Sequence, residues 1–145
     1  MQIKIERLNK AVHLTALNEQ GNEVHLDGSE KIGGEGLGFR PMQMLLVALG
    51  SCASMDILSI LKKKKQVLET FSVVVDGERD EDKVPSLFKT IHVRFEFGGD
   101  DIEEKKVRRA IELSMGTYCS VTKTLEKTAI ITSSYKINGN EEERV

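Results

Sequence analysis

Tryptophan is absent, proline occurs twice, and the aromatic set is five Phe and two Tyr. So few rings argue against a base-stacking platform for single-stranded nucleic acid. Charge of one sign is also lacking. The net formal charge is −2 over 145 residues, and it supplies no basic field for a phosphate backbone. With only two cysteines, the chain is not a disulfide-stapled scaffold. Its first residues, Met1-Gln2-Ile3-Lys4-Ile5-Glu6-Arg7, carry no apolar h-region, so secretion is not expected. Residues 42–61 are long enough to span a bilayer. However, Gln43, Ser51, Ser54, Asp56 and Ser59 interrupt them, and Asp56 near the middle would be costly in lipid. The expectation is a cytoplasmic protein, free of membrane and nucleic acid, whose thiols rest reduced.

Hydrophobic residues make up 39% of the chain and charged residues 30%, enough for a core and too apolar for disorder. One domain over residues 1–137 is expected, followed by a frayed acidic tail over 138–145. Alternation predicts strands over 2–8, 11–17 and 23–26, the last two joined by the turn material Asn18–Asn22. Pro41 suits the first turn of a helix, predicted over 41–65 and ending in Lys62-Lys63-Lys64-Lys65. Its first half is apolar nearly all round, so it should be buried centrally. Strands follow over 71–76 and 88–97, with Ile91, Val93, Phe95 and Phe97 on one face. An amphipathic helix over 102–115, a short helix over 119–127 and a closing strand over 128–137 complete the order. The class is α+β. One chain has too few strands to cover a central helix on all sides, which predicts a homodimer in which two such helices pack together.

The two cysteines stand 67 residues apart in unlike settings. Cys52 lies inside the apolar helix, where a cysteine is ordinarily a small hydrophobe. Leu45, Leu49, Cys52 and Asp56 share one helical face, which places Asp56 beside the sulfur. A buried carboxylate needs a partner, and an unpaired one opposes thiolate formation, so a cation is expected nearby. Cys119 stands at a helix start with Lys123 at i+4, and both features lower a thiol pKa. Packing under the short helix is the plain alternative. Arg40, just before the long helix, is a further candidate to reach a carboxylate or a peroxide oxygen.

His13, His25 and His92 are scattered on strands, and with two cysteines they form no metal-ligand spacing; neither a metal nor a cofactor is expected. The loop Gly33-Gly34-Glu35-Gly36-Leu37-Gly38 is not a dinucleotide fingerprint, because Phe39 stands where the third glycine belongs. It reads as a flexible connector that can present amides to an anion.

The run from Pro41 through Leu45 and Ala48 to Cys52 resembles the Pro-x-x-x-Leu-x-x-Ala-x-x-x-Cys helix of the OsmC/Ohr family. Tyr118-Cys119-Ser120-Val121-Thr122-Lys123-Thr124-Leu125, ahead of a last strand, is similar to that family's second cysteine motif. The resemblance implies an intertwined homodimer, with two antiparallel sheets built from both chains around two long central helices. It implies a thiol peroxidase that reduces small organic hydroperoxides in defence against oxidative stress. Cys52 would be the peroxidatic cysteine, Cys119 the resolving one, and an external dithiol the reductant. Two positions depart from the peroxidase pattern. Met42 stands where those enzymes have a glutamate, and Ala11–Asn22 contains no arginine. Both departures look more like the YhfA-like branch. They leave a second expectation open: a non-peroxidase relative that binds a small hydrophobic or electrophilic molecule or senses redox state through its cysteines.

Overall fold

The computed structural model describes residues 1–145 and divides into two units, residues 1–45 and 46–145. The first unit carries an antiparallel meander, β1 (Ile3–Arg7), β2 (Leu14–Asn18) and β3 (Glu23–Leu26), with Ile5 opposite Ala16 and Thr15 opposite His25. β2 begins three residues later than alternation predicts. The Asn9 carboxamide explains the delay: its oxygen accepts the N–H groups of Ala11 and His13 at 2.9 and 3.2 Å and holds them in a turn. β1 is exposed on both faces, including Ile3 and Ile5.

The glycine loop is tied down rather than loose. Asp27, only 3% exposed, accepts N–H groups from Gly28 at 2.7 Å and from Glu35 and Leu37 at 3.0 Å each. The loop does present amides to an anion, but the anion is the protein's own carboxylate. The Leu37 N–H contributes most to holding the Asp27 pKa below its usual value. Gly33 and Gly36 turn the chain at φ 84° and 73°, where a side chain would be strained.

Helix α1 (Pro41–Lys63) starts in the first unit, and from Leu46 onward it belongs to the second. Pro41 opens it, and the Gln43 Oε1 accepts the Arg40 N–H at 2.9 Å, half of a capping box. The helix stops before Lys64. Lys65 adopts φ 57°, and the N–H groups of Gln66 and Lys65 bond to Leu61 O and Lys62 O at 3.0 Å each, a Schellman closure. By length and composition α1 could cross a membrane, yet it buries Leu49, Gly50, Ala53, Ser54, Ile57 and Leu61 within the protein. Central burial is not met in the single chain. Val47, Met55 and Leu58 are 42, 70 and 39% exposed.

In the second unit, α1 lies on the hairpin of β4 (Thr70–Arg79) and β5 (Phe88–Gly98). The approach is close. A Cβ at Gly50 would stand 2.9 Å from Val75 Cγ2, and one at Gly77 would stand 2.6 Å from Phe88 Cε1 of β5 and 3.0 Å from Leu46 Cδ2 of α1. Ile91, Val93, Phe95 and Phe97 point into the core, as the alternation of β5 predicts. Beyond β5 comes α2 (Glu104–Leu113), which buries Val107, Ala110 and Ile111. The predicted helix runs on to 115, but the backbone widens at Ser114–Tyr118, where the Cys119 N–H bonds to Ser114 O at 2.9 Å, an i→i+5 bond. The short helix α3 (Ser120–Leu125) and strand β6 (Ile130–Ile137) follow.

β6 pairs parallel to β5, with Val93 opposite Ser133 and Phe95 opposite Tyr135. This corrects the expectation of purely antiparallel sheets. The two helices between β5 and β6 form a crossover that returns the chain to the end of the sheet where β5 began. Residues 138–145 also differ from expectation. Instead of fraying, they fold back as β7 (Glu143–Arg144) along β6. Glu142 accepts a short hydrogen bond from Ser134 Oγ, the leading cause of its lowered pKa, and its carboxylate lies 3.6 Å from His92 and 4.0 Å from Arg94.

Candidate functional site: two thiols and a carboxylate

Cys52 and Asp56 are one turn apart on α1 and point the same way, as i, i+4 spacing requires. Cys119 comes from the junction where the widened turn ends. It is the N-cap residue of α3 (φ −67°, ψ 102°), and its Sγ accepts the Thr122 N–H at 3.4 Å. The two sulfurs and an Asp56 carboxylate oxygen all lie within 4.8 Å of one another. Both cysteines are free thiols; Cys119 is fully buried and Cys52 half-buried. The pairing of α1 with the α3 start therefore joins the two residues that the sequence singled out separately.

Asp56 does not have the cation expected for it. Its partner is a hydroxyl: Ser114 Oγ lies 3.1 Å from Asp56 Oδ2 and 3.3 Å from Ala53 O. Ser114 is fully buried, so that one proton serves the carboxylate or the helix carbonyl. Past Asp56 opens a cleft of about 490 Å³, which Ser59, Ile60, Lys63, Lys64, Leu113 and Tyr118 also line.

The expectation for Cys119 is overturned. Lys123 does not lie over the sulfur; its Nζ pairs with Glu126 at 3.1 Å. Burial pushes the Cys119 thiol up, the Thr122 contacts work against it, and the neighbouring Cys52 thiol adds to the rise. Arg40 is exposed in the first unit, where its backbone caps α1. The histidines lie elsewhere. His13 Nε2 is 2.9 Å from His25 Nδ1, and His92 bonds to Thr132 and Ser134 at 2.8 Å each. Ser114 and Thr122 were missed by the sequence reading. Thr122 had a signal, because a donor three residues after an N-cap is the ordinary capping distance. Ser114 had none, being 58 residues from Asp56.

The family model described as OsmC-like protein matches residues 33–134, a span that includes both cysteines. The chain belongs to the OsmC-like family. Protein YhfA of Escherichia coli K12 is 38% identical over 126 residues, covering 86% of this chain and 90% of YhfA. A hypothetical protein from Aquifex aeolicus superposes with a TM-score of 0.81 at 29% identity, covering 97% of each chain. An organic hydroperoxide resistance protein from Elizabethkingia anophelis superposes with a TM-score of 0.71, covering 95% of this chain and 97% of its own. Its identity is 11%, so that likeness is one of fold. The resemblance read from the Pro41–Cys52 and Tyr118–Leu125 motifs is thus a family membership, and the OsmC-like fold is shared with proteins named for hydroperoxide resistance.

Proposed function

We propose that this OsmC-like protein is a two-cysteine reductase of small organic hydroperoxides, working in the cytoplasm against oxidative stress. The observation that carries the reading is the convergence of Cys52 and Cys119, two free thiols from distant segments, on one spot beside a cleft. Cys52 is the more exposed of the two cysteines and takes the peroxidatic role. Its thiolate attacks the terminal peroxide oxygen, the O–O bond breaks, and the alkoxide leaves as alcohol after taking a proton, with Cys52 oxidised to the sulfenic acid. Cys119 then attacks that sulfur, water leaves, and a Cys52–Cys119 disulfide forms. An external dithiol reduces it by exchange. The buried Cys119, with its raised pKa, resolves the intermediate and is a poor first attacker.

The test is sub-stoichiometric tert-butyl hydroperoxide added to the reduced protein, with free thiols and intact mass followed in time. Two thiols lost per chain with a two-hydrogen mass drop, faster than with hydrogen peroxide, is the expected result. Cys52→Ser abolishes turnover, and Cys119→Ser stops at a trapped sulfenic acid. Oxidation no faster than that of free cysteine would overturn the reading.

The working unit is a homodimer. The support is the unpartnered apolar face of α1 at Val47, Met55 and Leu58, and the two-sided exposure of β1. Light scattering at micromolar concentration should give twice the chain mass, and a monomer would refute this.

A second reading has its own observation. Asp56 and both sulfurs share the site without a basic partner, and Met42 stands in place of the peroxidases' glutamate. This favours a relative that holds a hydrophobic or electrophilic molecule or senses redox state. Retention of a small molecule in native mass spectrometry supports it, and an empty protein with fast peroxide turnover removes it.

A further inference from the structure

The reduced site has the donor set of a soft-cation centre. We infer that Cys52 Sγ, Cys119 Sγ and an Asp56 carboxylate oxygen bind one divalent zinc-like cation per chain, with a fourth position left for water. A tetrahedral zinc site has sulfur ligands at about 2.3 Å and oxygen at about 2.0 Å, which puts ligand atoms about 3.5–3.8 Å apart. The three donors already lie within 4.8 Å of one another, so convergence by about 1 Å reaches that spacing.

Charge argues the same way. Once its two thiols lose their protons the site carries three negative charges, and neither cysteine nor Asp56 has a lysine or arginine salt-bridge partner; Lys123 is held by Glu126. Binding expels the two thiol protons, and the resulting cluster carries one net negative charge. Thiolate donors select zinc over magnesium or calcium. The surrounding contacts are those a metal site uses to orient its ligands: Ser114 Oγ fixes Asp56 Oδ2 at 3.1 Å, and the Thr122 N–H holds Cys119 Sγ at 3.4 Å. No cysteine–histidine spacing marks such a site in the sequence; its third donor is Asp56, which the fold brings to Cys119.

The inference does not need peroxide turnover. Where the peroxidase reading also holds, cation and peroxide compete for the same sulfurs, and formation of the disulfide releases the ion.

Cobalt(II) is the probe, titrated into the reduced full-length protein without other metals. The expected result is saturation at one equivalent, with a sulfur-to-cobalt charge-transfer band and the strong visible bands of a tetrahedral site. Zinc displaces the cobalt and bleaches both. Cys52→Ser and Cys119→Ser each remove about half of the charge-transfer intensity, and Asp56→Asn weakens binding by tenfold or more. Ser114→Ala weakens it by about tenfold. Should a cysteine variant fail to fold, the wild type decides: disulfide formation with diamide abolishes the bands and reduction restores them. Absence of the charge-transfer band at stoichiometric cobalt, or bands indifferent to oxidation, would overturn the site. Neither result bears on the peroxide assay, so the two readings fail separately.

Discussion

Two carboxylates in this protein are treated in opposite ways. Asp27, in the first unit, receives three backbone N–H groups from its own loop and is almost sealed from solvent. Asp56, in the second, receives one hydroxyl from a distant residue and keeps the rest of its acceptor capacity facing two sulfurs and a cleft. A carboxylate that accepts three amides and is almost sealed from solvent is a structural clasp with a lowered pKa. One that is only partly satisfied beside two thiols keeps acceptor capacity for a ligand. The same residue type therefore holds a loop in one place and stays open on one side in the other, and the number of local donors decides which.

Breaking the Asp27 clasp should have the largest effect on structure. Asp27→Ala should lower Tm and erase hydrogen-exchange protection at the amides of Glu35 and Leu37 by tenfold or more, while Asp27→Asn, which keeps one acceptor oxygen, should do less. The pH dependence follows from the sign of the shift. A carboxylate whose folded pKa is depressed stabilises the fold fully above its ordinary value of 3.8, and that stability is lost as pH falls through the lower folded value. Wild type and Asp27→Asn should therefore differ by a constant amount above about pH 5 and converge in acid. A gap that widened in acid would contradict the clasp.

The second contrast lies in Cys119, which is both a candidate site residue and a helix cap. Cys119→Ser keeps a capping atom for the Thr122 N–H, whereas Cys119→Ala loses it and should destabilise by about 1 kcal/mol in urea unfolding. Equal stability of the two variants would show that the sulfur does not cap α3. Next is Ser114→Ala, which removes a buried hydroxyl from Asp56 and from Ala53 O and should cost about 1 kcal/mol. The smallest effect is expected for Asp56→Asn, within about 0.5 kcal/mol of wild type, because its side chain is half-buried and bonded once. A large loss there would move Asp56 into the structural class of Asp27.

Much of the fold was legible in short stretches. The alternation over Phe88–Gly98 placed Ile91, Val93, Phe95 and Phe97 in the core, and Pro41 marked the start of α1. Element ends were harder, because side chains and caps set them: Asn9 delays β2, and a Schellman closure stops α1 before Lys64. The widened turn at Ser114–Tyr118 was invisible, since it shows no break in apolar spacing. Lys123 departs from expectation for a simple geometric reason. On α3 it has Cys119 four residues behind and Glu126 three ahead, and the carboxylate is the stronger partner for an ammonium than a neutral thiol.

By itself the sequence determined what lies within one turn or one strand: which segments are helix or strand, which faces are apolar, and that Cys52 and Asp56 share a side of α1. Those features depend on spacing, and spacing is written in the chain. The tertiary structure alone decided the parallel pairing of β5 with β6, the return of residues 143–144 along β6, and the meeting of Cys119 and Ser114 with Cys52 and Asp56. These depend on how a crossover of two helices closes, and no local periodicity records the direction in which a chain comes back.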